Sequence, residues 1–330
     1  MTRAALGLIR RQAMPAGLIM DLNFGAGQTD RRMSFAGGAN GSRIGAARLP
    51  VAASTPRIDC STSTAGQFVG LRVEKAATNL LVNATIDGAN LATQSLSVTA
   101  QAYTLSFYGT GSIALSGAAS ATLTGDAVYP SRKTLTFTPS AGTLTLTVTG
   151  TVQYAQLETG TIATSFVATG ASAVLRSADL PTISGSALAQ VYNAAEGTMI
   201  LNAELPALVN GEILCIDDGS GNNTMEIYRR SSTTLALFVR SGNVGVADLP
   251  TTATFSGFRN VGIRWKANDF AICVGGATPA TLSSGAVPVA PTIMRIGHYR
   301  GAGSEHNARI ARVLSFNRAM ANAELQAWCT

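Results

Sequence analysis

The sequence predicts an all-β protein: two consecutive antiparallel β-sandwiches of jelly-roll type, preceded by an extended N-terminal arm and closed by one short C-terminal helix. Three observations predict it. Short runs alternate apolar and polar residues with period two, and Gly and Pro clusters separate the runs at roughly ten-residue spacing. Charge is sparse at 13% of residues while the apolar fraction is 46%, the opposite of the balance that keeps a chain disordered. At 330 residues the chain is larger than a single hydrophobic core normally fills, so more than one domain is expected.

Residues 1–79 read as an arm. Short apolar pieces such as Gly17-Leu18-Ile19-Met20 and Met33-Ser34-Phe35 lie among Gly, Arg and small residues, without sustained periodicity. Such a stretch orders only by packing on its own domains or on a partner. Residues 1–60 hold eight Arg against Asp21, Asp30 and Asp59, so the arm is expected to dock on an acidic partner surface. The rest of the chain is close to neutral and lacks the basic and aromatic pattern of a nucleic-acid binder.

Residues 80–180 read as the first sandwich. Tyr103-Thr104-Leu105-Ser106-Phe107, Lys133-Thr134-Leu135-Thr136-Phe137 and Thr143-Leu144-Thr145-Leu146-Thr147-Val148 place Leu, Phe and Val on one face and Thr or Ser on a wet face. A linker is expected over 176–186, where Asp179, Pro181 and Gly185 interrupt the pattern.

Residues 187–330 read as the second sandwich. Its runs, such as Glu212-Ile213-Leu214-Cys215-Ile216 and Phe270-Ala271-Ile272-Cys273-Val274, are more continuously apolar, as in strands buried on both faces. Trp265 alternates with Ile263 and is assigned to the core. A terminal helix begins at a capping Asn322 and sets Leu325 and Trp328 on one face.

The first twenty residues contain Arg3, Arg10 and Arg11 but no apolar run suited to a secretory leader. No stretch approaches the roughly 20 apolar residues of a membrane helix. The expectation is a protein made in a cytoplasm, without membrane insertion. Cys60, Cys215, Cys273 and Cys329 form no CxxC pair and match no zinc spacing. They read as buried thiols or as disulfide partners, with burial favoured for Cys215 and Cys273 and exposure expected for Cys329.

Two stretches carry a family resemblance. Thr55-Pro56-Arg57-Ile58-Asp59, followed by Gly70-Leu71-Arg72-Val73-Glu74-Lys75-Ala76-Ala77-Thr78-Asn79-Leu80-Leu81, resembles the TPRxD … GLLxExxxTNLL signature of phage head-spike-fibre and tail-fibre proteins. The order from Ala92-Thr93-Gln94-Ser95 to Ala155-Gln156-Leu157-Glu158-Thr159-Gly160 and Ala163-Thr164-Ser165-Phe166 is similar to the carbohydrate-binding-module-like sandwich of the same particle proteins. More weakly, Val261-Gly262-Ile263-Arg264-Trp265, Arg295-Ile296-Gly297 and Ile310 to Arg318 resemble laminin-G-like and concanavalin-A-like jelly rolls. The resemblance implies a spike or fibre on the surface of a virion or gene-transfer-agent-like particle. It implies a homotrimer, attached by the arm to other virion proteins and binding host cell-surface polysaccharide. A non-adhesive capsid decoration or connector is the alternative, and a polysaccharide depolymerase a remoter one.

The residues themselves point away from catalysis. His298 and His306 have only Glu305 nearby as a carboxylate, which fits a polar rim loop better than an acid–base pair. Glu212 followed by Asp217 and Asp218 has the wrong spacing for a glycoside hydrolase. No cofactor is called for. Asp217, Asp218, Gly219, Ser220, Gly221, Asn222 and Asn223 could serve calcium, but an ordinary hairpin needs the same composition and is favoured. Sugar recognition combines an aromatic platform with amide, acidic or Arg groups. The candidate ligand-binding residues are therefore Asp217, Asp218, Asn222, Asn223, Tyr228, Arg229, His298, Tyr299, Arg300 and His306, on loops that must share one end of the sandwich to act together.

Overall fold

The computed structural model describes residues 15–44, 49–50, 54–64, 66–206, 211–254, 256–301 and 303–330. Arg3, Arg10, Arg11 and Arg48, half of the eight Arg of residues 1–60, lie outside the described residues.

Almost all regular structure is antiparallel strand, arranged in two sandwiches. In the larger, an eight-stranded sheet runs Ala280–Leu282, Asp269–Val274, Phe258–Lys266, Glu196–Glu204, Ala308–Phe316, Phe68–Val73, Ile58–Cys60, with Leu18–Asn23 also paired to Ala308–Phe316. It faces a seven-stranded sheet ordered Ser34–Gly37, Asp179–Ser184, Ile293–Ile296, Glu212–Asp217, Thr224–Ser231, Thr234–Ser241, Val244–Thr252. Met199, Leu201, Ile263 and Trp265 of the first sheet meet Leu214, Ile216, Ile227 and Leu237 of the second in one core. Trp265 is fully buried, stacks on Tyr192 with centroids 5.1 Å apart, and donates Nε1–H to the Asn193 carbonyl at 2.9 Å. Gly197 is required beside it, because a Cβ there would lie 2.2 Å from the indole ring.

The second face of the eight-stranded sheet is also covered. Ile200, Ala271, Cys273, Leu314 and Phe316 pack under Met320, Leu325 and Cys329 of the C-terminal segment, which explains why those strands read as continuously apolar. The helix Asn322–Trp328 has Ala321 at its cap position. Asn322, expected as the cap, instead accepts from Arg264 Nη1 at 2.7 Å. Cys329, expected to be exposed, is buried because the helix folds its C-terminal end onto the sheet. Ser186–Ala189 adds one further short helical turn.

The smaller sandwich packs a four-stranded sheet, in the order Ala121–Thr124, Ser112–Gly117, Gly142–Thr149, Gln94–Val98, on the three strands Ala127–Phe137, Tyr103–Gly109, Gln153–Thr159. Leu105, Phe107, Ile113, Leu144, Leu146 and Phe166 fill it. Thr104 and Ser106, expected on a wet face, are buried. Ser106 Oγ accepts from Arg132 Nη2 at 2.5 Å, and Thr104 Oγ1 donates to the Gly160 carbonyl at 2.8 Å, so the polar face is closed by hydrogen bonds instead of water.

The chain path differs from a plain succession of arm, sandwich, linker and sandwich. Strands 18–23, 34–37, 58–60 and 68–73 belong to the sheets of the larger sandwich, so the described part of the expected arm is ordered by packing on the protein's own strands. The expected linker is also strand: Val174–Arg176 pairs with Ala77–Asn79, and Asp179–Ser184 enters the seven-stranded sheet. The smaller sandwich is thus inserted between strands of the larger, its entry and exit strands side by side.

The motif over 55–81 sits at this junction. Arg57 pairs with Glu74 at 2.9 Å and with Asp179, Arg72 pairs with Glu74 at 3.0 Å and with Asp59, and Arg176 reaches Asp179 at 3.5 Å. Ser165 of the smaller sandwich donates Oγ–H to Glu74 at 2.6 Å. Asn79 donates to the Ala155 carbonyl at 3.1 Å and the Val167 carbonyl at 2.9 Å.

Candidate functional site

The outward face of the seven-stranded sheet collects polar side chains by strand alternation. Met225 and Ile227 enter the core, so Thr224, Glu226 and Tyr228 point the other way. Registers place Arg295, Cys215, Glu226, Phe238 and Asp248 in one row, and Asp217, Thr224 and Arg240 in the next.

The two candidate loops meet on this face but leave the sheet at opposite ends. Asp217 pairs with Ile293, whereas Gly297 donates its N–H to the Ile213 carbonyl at 2.9 Å. Contact arises because Tyr299 and Arg300 lie back across the face. Arg300 Nη2 donates to the Tyr299 hydroxyl at 2.5 Å, and its Cζ lies 4.7 Å from that ring centroid. The Glu226 carboxylate lies close by, near enough for Tyr299 and Arg300 to offset part of its burial. The guanidinium covers Gly221, whose φ of 82° suits glycine and whose added Cβ would lie 2.0 Å from Arg300 Nη1. Arg240 Nη1 donates to the Gly221 carbonyl at 3.2 Å, and its Cζ stands 5.5 Å from the Phe238 ring centroid.

The 217–223 turn is largely satisfied from within. Asp217 is buried, accepting from Arg295 Nε at 2.6 Å and from Gly219 N at 2.6 Å. Asp218 accepts from Ser220 N at 2.9 Å, Gly221 N at 3.1 Å and Asn223 Nδ2 at 2.8 Å. Burial raises this carboxyl, but the hydrogen bonds from Asn223, Ser220 and Gly221 together outweigh it and hold it below the usual aspartate range. Asn223 Oδ1 accepts from Gly242 N at 2.9 Å and Val289 N at 3.1 Å. Asn222 is exposed at the tip. The carboxylates therefore build a hairpin turn, and among the described residues no group of three or more His, Cys, Asp or Glu side chains could hold a metal ion.

Three candidates do not belong to the face. Arg229 projects to the opposite side of its strand from Tyr228, is buried, and donates to the carbonyls of Ser231 at 2.9 Å and Pro206 at 2.7 Å. His298 and His306, expected on a polar rim, are both buried. His298 sets its ring nitrogens against the carbonyls of Tyr299 at 2.7 Å and Pro181 at 3.1 Å. Burial lowers its pKa, and lowers that of His306 to about 4. Glu305, the carboxylate nearest them in sequence, accepts from Gly303 N at 3.0 Å, so no histidine–carboxylate pair forms.

Sequence reasoning weighed Glu212 only as a hydrolase carboxylate, and missed Glu226, Phe238 and Arg240. The alternation Thr224-Met225-Glu226-Ile227-Tyr228 was the available signal for Glu226. Beside Tyr228, a cavity of about 200 Å³ is lined by Gly211, Glu212, Tyr228, Arg229, Gly303 and Ser304. Glu212 is buried, and its Oε2 has no hydrogen-bond partner. Burial, with Glu226 adding to it, pushes its carboxyl well above the usual range.

No family model matches the sequence, and no curated protein matches it. Among solved structures, the chain is similar to the CBM40 domain of the Ruminococcus gnavus IT-sialidase bound to α2,3-sialyllactose, at 15% identity and a TM-score of 0.37, over 42% of this chain and 84% of that one. It is similar to a leech intramolecular trans-sialidase at 18% identity and a TM-score of 0.36, over 41% of this chain and 23% of that one. A heptameric SAP-like pentraxin from Limulus polyphemus matches at 15% identity and a TM-score of 0.31, over 40% of this chain and 69% of that one. Similarity this slight assigns neither a family nor a ligand.

Proposed function

We propose that the protein is a glycan-binding spike or fibre component on a virion surface, with the outward face of the seven-stranded sheet as its binding surface. The observation that carries the binding reading is the Arg300–Tyr299 pair lying across that face beside Glu226, half-buried. Arg240 and Phe238 flank it on one side, and Tyr228 borders the cavity on the other. Rings that cover sugar faces, beside planar donors and acceptors already oriented by their neighbours, are what hydroxyl-rich ligands require. Each hydrogen bond to such a ligand contributes about 1 kcal/mol net. Single sites of this kind are weak, and a homotrimer or a clustered array would supply avidity.

The particle context rests on the motif resemblance over 55–81 and 92–166. In this reading the basic N-terminal residues join the chain to other virion proteins. The buried ion pairs between the sandwiches also suit a rigid connector, which is the second reading. The test is adsorption of particles to host cells with Tyr299→Ala and Arg300→Ala together. Loss of adsorption by particles that assemble normally supports adhesion. Unchanged adsorption favours the connector.

A further inference from the structure

The carboxylates of this protein are almost all provided for. Asp21, Asp30, Asp126, Glu196, Glu204, Asp248, Asp269 and Glu324 have ion-pair partners at the surface or part-buried. The six-group network and Asp217–Arg295 settle the deeply buried ones. Even Glu158, without a salt bridge, accepts from Thr164 N at 2.9 Å and Gln156 Nε2 at 2.8 Å. Among the described residues Glu212 stands apart: it is 7% exposed, and no hydrogen bond or ion pair reaches its side chain.

Its surroundings are a cavity rather than packed core. Gly211, Tyr228, Gly303 and Ser304 line about 200 Å³ beside it, less than the roughly 300–1,000 Å³ typical of sites for drug-sized ligands and suited to one small ring. Arg229 borders the cavity but directs its guanidinium to the carbonyls of Ser231 and Pro206. The neighbouring Glu226 accepts from Thr224 Oγ1 at 2.8 Å and has Tyr299, Arg240 and Arg300 close by, whereas no donor reaches Glu212 Oε2. A buried carboxyl left without a partner is costly, and a cation delivered by a ligand removes that cost.

We propose that the cavity beside Glu212 is a subsite for the ammonium group of an amino sugar, with Tyr228 against the ring and the Glu212 carboxylate receiving the N–H donors. This deepens the glycan-binding reading and rests on it for the ligand being a sugar. It makes a free amine, not a hydroxyl or an acetamide, the group that selects the ligand. An acetamide lacks the charge, and a neutral hydroxyl restores only part of the interaction.

The test is titration of the full chain, followed by NMR, with D-glucosamine, D-glucose and N-acetyl-D-glucosamine. Glucosamine is expected to bind about tenfold or more tightly than either comparator, the scale of a charge-assisted bond. Glu212→Gln, which keeps the side chain neutral at every pH without changing its shape, is expected to erase that preference while keeping the fold. Equal binding of the three sugars, no binding of glucosamine, or a preference that survives Glu212→Gln would each overturn the subsite. If those results came with adsorption still dependent on Tyr299 and Arg300, the subsite would fail and the adhesive reading would stand. A glucosamine preference lost in Glu212→Gln, with adsorption indifferent to Tyr299 and Arg300, would give the reverse.

Discussion

Arg57 donates through Nε to Oδ1 of Asp179 at 3.1 Å, across 122 residues of sequence, with both side chains fully buried. The whole smaller sandwich lies between these two residues in the chain. The pair belongs to a buried set in which Arg57, Arg72 and Arg176 face Asp59, Glu74 and Asp179. Charge is balanced three against three, so the set is neutral only while complete. It joins the strands entering and leaving the insertion to the sheets of the larger sandwich, and Ser165 adds a contact from the smaller one.

Removing one member should therefore cost more than the pair contributes. Asp179→Ala leaves Arg57 and Arg176 buried beside a single remaining carboxylate. The expected loss is about 3–5 kcal/mol, measured by urea unfolding. The same variant is expected to split one unfolding transition into two, as the sandwiches lose their common anchor.

Acid should act on this junction and on the binding face in opposite senses. Burial pushes Glu74 up, but the Arg57, Arg72 and Arg176 guanidinium groups outweigh it and hold the carboxyl well below the ordinary 4.5. A lowered folded-state pKa contributes stability above 4.5 that is lost as pH falls below it. Glu212 is raised, by burial and then by Glu226, so it favours the fold fully below 4.5 and loses that contribution as pH rises through its folded value. Glu212→Gln should raise the melting temperature at about pH 8 and leave it nearly unchanged at about pH 4, whereas Glu74→Gln should destabilise at about pH 7 and progressively less in acid.

These charges mark where the sequence is legible and where it is not. Period two assigns Leu144 and Leu146 to the core and Thr143 and Thr147 to solvent, as the structure has them. It fails at Thr104 and Ser106, because a polar face can be closed by hydrogen bonds as well as by water. It gives no hint that Leu18–Asn23 pairs with Ala308–Phe316, since pairing between such distant segments leaves no local pattern. The 55–81 motif stands out as a signature, yet Asp179, its essential partner, resembled a linker residue. At the site, alternation could have found Glu226. The return of Tyr299 and Arg300 across the sheet depends on the path of one loop, which no periodicity encodes.

Thiol reactivity should separate one cysteine from the rest. Cys60 is half-buried, while Cys215, Cys273 and Cys329 are buried. Burial pushes the Cys215 thiol up, and the hydrogen bond with Cys273 pushes up that of Cys329, so neither offers a reactive thiolate, while Cys273 is shielded by full burial. A thiol reagent is expected to modify Cys60 rapidly in the native protein and the other three only on unfolding. Cys60→Ser should remove the fast phase alone.

Gly221 provides a way to disturb the binding face without touching a ligand-contacting side chain. Its added Cβ would occupy the place of the Arg300 guanidinium. That group ends a flexible side chain, so it can move aside at little cost to the fold. The backbone at φ 82° adds strain of about 1–2 kcal/mol for any residue with a Cβ. Gly221→Ala should therefore fold, with a modest fall in melting temperature. Displacing Arg300 removes its bond to the Tyr299 hydroxyl and frees that ring to move. Adsorption to cells should then fall toward that of Arg300→Ala, and combining the two substitutions should cost little more than Arg300→Ala alone, because both act through the same guanidinium. Additive losses would mean that the turn itself, through Asn222 and Asn223, holds the ligand.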